Sequence, residues 1–284
     1  MVARTLKPEI LNQWLGKTEA MADTLDLRPA NLMAATLGQA QNFKLGNKLP
    51  ALWHWLYFLT ARPPEELGRD GHPLLGDFLP PVDLPRRMWA GGRYTFLQPL
   101  RLGDQAVKTS RIENITLKSG RSGALCFVTV SHTISVAGQD CLREEHDIVY
   151  REDPKTDTPP VIPAKVTKAP DWHREMRADP VMLFRYSALT FNGHRIHYDR
   201  IYCRKVEGYP DLVVHGPLIG TLLLDLAVKA LPERTLKHYR FRALSPVFSS
   251  MTFSLNGNLT GDEATLWAEK PGGTPAIKAT AIFG

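Results

Sequence analysis

Alternating apolar and polar positions recur in two groups of short segments, one group in each half of the chain. The first group spans residues 94–99, 107–117, 124–135 and 141–150, and the second spans 236–244, 248–255, 264–270 and 276–283. A period of two is typical of half-buried strands. Glycines such as Gly120, Gly138 and Gly261 fall between the runs, where hairpin turns favour them. Each group therefore predicts an antiparallel meander.

A different pattern precedes the second meander. Between residues 218 and 231 the polar positions are Thr221, Asp225 and Lys229, which are four apart and share one stripe of a helix. Pro217 suits the first helical position, where its missing N–H has no acceptor in any case. A helix that is apolar around most of its circumference must be surrounded, and a curved antiparallel sheet is the partner that this sequence supplies.

The two halves share a weak internal repeat. Residues 93–100, Arg-Tyr-Thr-Phe-Leu-Gln-Pro-Leu, resemble 240–247, Arg-Phe-Arg-Ala-Leu-Ser-Pro-Val, and 49–52 precede an apolar run as 216–219 do. Residues 63–84, rich in Pro and Gly, are then an insertion. The repeat predicts a helix followed by a meander in each half. This is an α+β double hot dog, with two helix-wrapping sheets in one chain.

A proline-rich segment separates the halves. Residues 154–170 contain five prolines and little apolar periodicity, a composition that favours extended chain. We therefore expect an N-terminal half at 1–153, a crossover linker at 154–170 and a C-terminal half at 171–284.

Composition narrows the class of protein. The 284 residues are 43% hydrophobic and 23% charged, as in soluble globular proteins. No apolar run is long enough to span a membrane, and the N-terminus lacks the apolar core of a secretory signal. Cys126, Cys141 and Cys203 are widely spaced and predict reduced, structural thiols. We expect a cytoplasmic protein without a membrane partner.

The formal net charge is +6, which favours acidic or phosphorylated ligands. Residues 156–284 carry 16 Lys and Arg against 12 Asp and Glu. No basic block stands out, so nucleic acid is not a predicted partner.

Unusual polar residues gather ahead of the apolar helix, where residues 187–199 read Ser-Ala-Leu-Thr-Phe-Asn-Gly-His-Arg-Ile-His-Tyr-Asp. His194 and His197 are three apart, a spacing that suits a metal on a helix, but Gly193 favours a loop and no metal is predicted. A free imidazole titrates near neutrality, so His197 could take a proton from water. The alternative is a histidine that only hydrogen-bonds within the loop.

Residues 213–217, Val-Val-His-Gly-Pro, lead into that helix. The first turn of a helix offers unpaired N–H groups and a positive dipole end, so the Gly216 amide could hold a developing oxyanion. Glycine also lets a ligand approach the backbone closely. The alternatives are plain capping for Gly216, and for His215 a role that only fixes the loop.

Residues 187–199 with 215–217 resemble the hydratase motif of MaoC-like (R)-specific enoyl-thioester hydratases and dehydratases. They are most similar to the branch of fungal-type mitochondrial hydroxyacyl-thioester dehydratases and bacterial mesaconyl-C4-CoA and itaconyl-CoA hydratases. Residues 85–92, Pro-Arg-Arg-Met-Trp-Ala-Gly-Gly, resemble a first-half signature of the bacterial members. The resemblance covers most of the chain. It implies a double hot dog, reversible hydration of an enoyl-CoA, dicarboxylic substrates for this branch, and no cofactor beyond the coenzyme A of the substrate.

The resemblance also implies roles for individual residues. His197 would be the base and the Gly216 amide would bind the thioester oxygen. Asn192 stands where the wider family has Asp, and an amide can orient water but cannot exchange a proton. The N-terminal half would shape the acyl tunnel without catalysing. The expected substrate-binding residues are Arg87, Trp89, Gly91, Arg93, Arg195, Tyr198 and His215.

Within that set, Arg87 and Arg93 are candidates for a second carboxylate on the substrate, because arginine can hold a carboxylate by two parallel bonds. Candidates for the coenzyme A phosphates are Arg195, Arg200, Arg204 and Lys205.

Two other functions are compatible with this fold. A thioesterase would need a carboxylate to activate water at the carbonyl, and Asp225 is its candidate. A non-catalytic acyl-CoA-binding module would keep the tunnel and tolerate loss of His197. A homodimer is expected, since hot-dog sheets commonly associate edge to edge.

Overall fold

The computed structural model describes residues 6–120, 123–153 and 163–284. The strands are β1 Thr18–Thr24, β2 Arg86–Phe96, β3 Gln105–Gly120, β4 Gly123–Val136, β5 Gln139–Arg151, β6 Trp172–Met176, β7 Leu236–Ala243, β8 Phe253–Thr260, β9 Glu263–Lys270 and β10 Thr274–Phe283. The α-helices are α1 Pro8–Leu11, α2 Leu27–Thr36, α3 Pro180–Leu189, α4 Arg200–Tyr202 and α5 Gly216–Ala230. Residues 154–162 of the expected linker lie outside the described residues.

Within the described ranges the strands form one antiparallel sheet in the order β1-β3-β4-β5-β2-β7-β10-β9-β8-β6. Each half follows the same path, so that β2 and β7 are equivalent strands. They pair with each other at the middle of the sheet, with Arg93 opposite Arg240 and Tyr94 opposite Tyr239. The two segments that revealed the repeat are thus the seam between the halves.

Helix α5 forms the core of the second half, as its apolar pattern predicts. It packs against β6, β7, β8, β9 and β10, and Leu218, Leu222 and Leu223 are almost completely buried. Burying each such leucine contributes about 2 kcal/mol to folding. Asp225 and Lys229 pair with each other on the polar stripe.

The prediction of an equivalent helix in the first half is wrong. After residues 49–52 the chain makes only a 3₁₀ turn, Trp53–Leu56. Leu52 and Phe58 on either side of it have φ of 68° and 58°, a left-handed conformation that ends a right-handed helix. The longest helix of this half is α2, which packs against α3 of the second half.

Some strand predictions also need correction. The sequence pattern gave no indication of β1 or β6, the two edge strands. Strand β8 begins at Phe253 and not at residue 248, because the preceding loop bonds to the segment that leads into α5. In that loop the Val247 carbonyl accepts the Val214 N–H at 2.8 Å, and the Ser249 N–H donates to the Leu212 carbonyl at 2.9 Å.

The three cysteines are buried and form no disulfide, and burial raises the pKa of the Cys126 and Cys203 thiols to about 11. These thiols are therefore protonated and structural, as predicted. Among the residues that the structure describes, none of the helices is both long and apolar enough to cross a membrane.

Candidate active site

His197 ends a short 3₁₀ turn after α3 and is 7% exposed. Its Nδ1 donates to the Val213 carbonyl at 2.7 Å, which leaves Nε2 as the nitrogen with a lone pair. Burial lowers the pKa of His197 to about 4, although the bond to Val213 opposes that shift. At neutral pH the ring is uncharged and Nε2 can accept a proton.

Asn192 lies in the turn between α3 and His197. Its N–H donates to the Ser187 carbonyl at 2.8 Å, and its Oδ1 accepts the His194 N–H at 3.0 Å. Because Oδ1 is engaged, the side-chain orientation of Asn192 is fixed. Within the described ranges its Nδ2 group has no acceptor, so it can donate to a water molecule or a ligand.

Four imidazole rings lie in a row through this region. The ring centroids are 4.4 Å apart for His72 and His194, 5.4 Å for His194 and His197, and 3.6 Å for His197 and His215. Burial is the main reason that the pKa of His194 falls to about 2 and that of His215 falls well below its usual value. The row is therefore an uncharged wall of the site at neutral pH.

His215 lies between His197 and the start of helix α5. It is completely buried, its Nε2 lies 2.8 Å from the Ser187 hydroxyl, and its ring stacks on His197 at an angle of 19°. Gly216 follows as the first residue of α5, where the amide has no acceptor within the helix. A Cβ at Gly216 would meet no atom within 4 Å. Packing does not require glycine here, and the open space can receive a ligand.

The N-terminal half contributes to the site through the insertion at 63–84. The Asp70 carbonyl accepts the Arg195 N–H at 2.8 Å, and a Cβ on Gly71 would overlap the Gly193 carbonyl oxygen. Next to this crossing, the His72 Nδ1 lies 2.9 Å from the Asp70 carboxylate.

The sequence analysis does not predict Asp70 and His72 as site residues. Their only local signal is an Asp-Gly-His tripeptide in a loop, and about 120 residues of chain separate it from the motif that it contacts. The N-terminal half thus contacts the loop that carries His197, and its role in shaping an acyl tunnel stays a prediction.

Arg195 and Tyr198, two of the predicted substrate-binding residues in the second half, stabilise the loop that carries His197. The Arg195 guanidinium pairs with Asp199 at 2.7 Å and lies over the Tyr202 ring. The Tyr198 hydroxyl donates to the Gly193 carbonyl at 2.8 Å. Both side chains remain partly exposed at the surface, so contact with coenzyme A is sterically open to them.

The other phosphate candidates lie nearby along the chain. Arg200 pairs with Asp211 at 2.6 Å, and the Arg204 Nε donates to the Pro210 carbonyl at 3.0 Å. Lys205 is exposed.

The predicted residues of β2 separate into different environments. Trp89 packs on His146 with ring centroids 4.2 Å apart, within an aromatic cluster of the first half. At Gly91 a Cβ would overlap the Phe241 carbonyl oxygen, so this glycine permits the close approach of β2 and β7. Arg93 is exposed and pairs with Glu145 and Asp147. The structure brings none of these three into contact with His197.

Arg87 is different from its neighbours on β2. It is half-buried, and its charge is among the causes that lower the pKa of His72 and His194, after burial. Of the two arginines predicted to bind a carboxylate, only Arg87 therefore lies beside the imidazole row.

Two groups of side chains in the described ranges could hold a metal, because their ligand atoms lie within 4.8 Å of one another: Asp70, His72 and His194, and His132, Glu144 and His146. In each group the carboxylate already has an imidazole partner, at 2.9 Å for Asp70 with His72 and 2.8 Å for Glu144 with His54. The absence of a metal stays a prediction.

The thioesterase candidate Asp225 lies nine residues into α5, about 14 Å along the axis from Gly216. Its carboxylate is engaged by Lys229 at 3.0 Å and by Arg174 at 3.5 Å. It is therefore too far from the helix start to activate water at a carbonyl bound there.

Known proteins resemble this chain over most of its length. The family model described as Hydroxyacyl-thioester dehydratase type 2 matches residues 52–249. A mesaconyl-C(4)-CoA hydratase of Chloroflexus aurantiacus is 45% identical over 273 residues, which cover 95% of this chain and 97% of the relative. The mitochondrial hydroxyacyl-thioester dehydratase type 2 of Schizosaccharomyces pombe is 27% identical. The match covers 88% of this chain and 92% of that relative.

Solved structures show the same fold. HtdX of Mycobacterium tuberculosis superposes with a TM-score of 0.68 at 20% identity, covering 93% of this chain and 99% of that chain. A second protein of that organism, described as having a double hot-dog fold, gives a TM-score of 0.55 at 14% identity. The match covers 95% of this chain and 96% of that chain. The predicted double hot dog is confirmed.

Proposed function

Because this chain belongs to the hydroxyacyl-thioester dehydratase type 2 family, we propose that it catalyses the reversible hydration of an α,β-unsaturated acyl-CoA thioester. One observation carries the proposal. His215 stacks on His197 at 3.6 Å and immediately precedes Gly216, so a neutral imidazole base and an unpaired helix-start amide lie side by side. Hydration of an enoyl thioester needs both groups within one substrate length.

In the hydration direction, Nε2 of His197 accepts a proton from water whose oxygen is held by the Asn192 Nδ2 group. The water oxygen bonds to the β-carbon, and the electron pair of the double bond moves toward the thioester oxygen. The Gly216 N–H stabilises that negative charge, an effect worth about 3 kcal/mol for one donor. The proton on His197 then passes to the α-carbon, which regenerates the neutral base. The reverse sequence is dehydration.

For the substrate, we propose a short dicarboxylic enoyl-CoA such as mesaconyl-C4-CoA, with itaconyl-CoA as a second candidate. Support comes from the 45% identity to a mesaconyl-C(4)-CoA hydratase over nearly the whole chain. Coenzyme A is part of the substrate, and its phosphates suit the excess of basic side chains in residues 156–284.

The test is a spectroscopic assay of the purified protein on crotonyl-, mesaconyl-C4- and itaconyl-CoA, which follows loss of enoyl-thioester absorbance. Mass analysis of the products and titration of free thiol accompany it. We expect a gain of one water with the thioester intact. Release of free coenzyme A without hydration would indicate a thioesterase, and binding without turnover would indicate a non-catalytic module.

A further inference from the structure

The three arginines of β2 differ in their partners. Arg86 is buried and pairs with Asp153 at 2.9 Å and Glu207 at 3.2 Å. Arg93 pairs with two carboxylates on the outer surface. Among the residues that the structure describes, Arg87 forms no ion pair with a carboxylate, and the Tyr150 hydroxyl lies beside its guanidinium. A half-buried guanidinium without an ion-pair partner is unfavourable, because it has lost part of its hydration. An anionic ligand would restore that lost stabilisation.

The position of Arg87 connects this unpaired charge to the active site. The register of β2 with β5 is regular here, with Arg86 opposite Arg151 and Arg87 opposite Tyr150. Consecutive side chains of a strand point to opposite faces, so Arg87 faces away from the side occupied by Arg86. On its own side its charge acts on Asp70, His72 and His194.

Asp70, the acidic group on which the Arg87 charge acts, is engaged by another partner. The Asp70 carboxylate accepts the His72 backbone N–H at 3.0 Å and lies 2.9 Å from its Nδ1. Asp70 is thereby held on His72 and forms no ion pair with Arg87. The ring of His72 packs on His194, which lies next to His197 in the imidazole row.

Resting on the proposed function, we propose that Arg87 binds a carboxylate carried by the β-carbon of the enoyl thioester and thereby selects dicarboxylic substrates. Such a carboxylate is one bond away from the carbon that water attacks, so its receptor must lie beside the water-activating His197. The planar fork of arginine can bind both carboxylate oxygens at once. The N-terminal half then supplies substrate specificity and the C-terminal half supplies the chemistry.

Two substrates test this directly because they differ in one group. Mesaconyl-C4-CoA is crotonyl-CoA with a carboxylate in place of the hydrogen on the β-carbon. The quantity to measure is the ratio of kcat/KM for mesaconyl-C4-CoA to kcat/KM for crotonyl-CoA. We expect Arg87→Met to lower this ratio at least 100-fold. Arg87→Lys, which keeps the charge and loses the fork, should lower it about 10-fold.

Arg93→Met is the matched control, since it removes an arginine from the same strand on the outer surface, and it should leave the ratio within threefold of wild type. A change of less than threefold in Arg87→Met would overturn the inference, as would a parallel loss on both substrates. Circular dichroism shows whether the variant is folded. If the wild-type protein hydrates crotonyl-CoA but not mesaconyl-C4-CoA, the inference about Arg87 is wrong and the proposed function stands. If it hydrates neither substrate, the proposed function is wrong.

Discussion

At the scale of single residues, the reactivity of His197 depends on one backbone carbonyl. The bond from Nδ1 to Val213 fixes the tautomer, and only Nε2 is left for proton transfer. A pKa near 4 makes the protonated ring unfavourable at neutral pH. In the proposed mechanism, the ring would therefore give up its proton readily to the α-carbon in the second half of the reaction.

Replacing His197 with Asn should lower kcat about 1000-fold, because the amide cannot exchange a proton and general acid–base groups contribute about 100- to 10,000-fold. Steady-state kinetics on the best substrate would measure this. His173→Asn is the matched control, since His173 lies on β6 and its Nδ1 is 2.8 Å from the Asn256 side chain. Turnover above a tenth of wild type in His197→Asn would exclude this residue as the base.

A pair of substitutions at Gly216 isolates the helix-start amide. Gly216→Pro removes the N–H, and the backbone accepts proline because His215 has φ −58° and ψ 126° and proline suits the first helical turn. Gly216→Ala keeps the N–H and adds a Cβ in open space. We expect kcat to fall about 100- to 1000-fold in the proline variant and less than 10-fold in the alanine variant. Equal kcat values in the two variants would remove the amide from the mechanism.

At the scale of elements, the insertion at 63–84 is attached to the loop that carries His197 by backbone contacts. Gly71 has φ +87°, and a Cβ there would overlap the Gly193 carbonyl oxygen. Because Gly193 directly precedes His194, displacing the insertion would shift the hydrogen bond between His194 and Asn192. In the proposed mechanism, the orientation of the attacking water would thus depend on a segment of the other half.

Gly71→Ala should therefore lower kcat at least 10-fold and reduce Tm by several degrees. Gly76→Ala is a close control. Gly76 belongs to the same insertion and also has positive φ, but its Cβ would meet only Pro81, at 3.7 Å. Gly76→Ala therefore introduces the backbone strain of an alanine at positive φ without any overlap with Gly193. If both variants lose the same amount of kcat, strain and not displacement of the loop explains the effect.

The sequence predicted the elements whose signal is local. The period-two runs gave the meanders, and the apolar circumference of residues 218–231 gave α5. The 3₁₀ turn at Trp53–Leu56 was missed because the repeat says nothing of the positive φ at Leu52 and Phe58.

The same limit applied to the site. His197 and Gly216 lie in contiguous motifs, whereas His72 reaches the imidazole row only through tertiary packing. The sequence alone could not separate Arg87 from Arg93, because the presence or absence of a carboxylate partner is decided by folding.

At the scale of the whole molecule, the buried histidines couple stability to pH. The folded-state pKa is about 2 for His194 and about 4 for His197, and that of His215 is also well below its usual value, in each case mainly because of burial. In the unfolded chain these groups titrate near pH 6.5. Their contribution to stability is complete above about pH 6.5 and is lost as pH falls toward 4, because the unfolded state then binds more protons.

The free energy of unfolding should therefore decrease by about 1.4 kcal/mol per pH unit for each such histidine below about pH 6.5. Denaturant unfolding between pH 7.5 and 5 would measure the slope. His197→Asn should make the slope shallower by about one proton. A free energy of unfolding that is constant from pH 7.5 to 5 would contradict the burial of neutral imidazoles.

The proposed reaction adds water across the double bond of an acyl-CoA thioester. It is tested by the mass of the products after incubation with an enoyl-CoA in H₂¹⁸O. We expect an intact thioester whose acyl group has gained one ¹⁸O as a β-hydroxyl. A free acid with ¹⁸O in its carboxyl group, or an enoyl thioester that remains unlabelled, would contradict it.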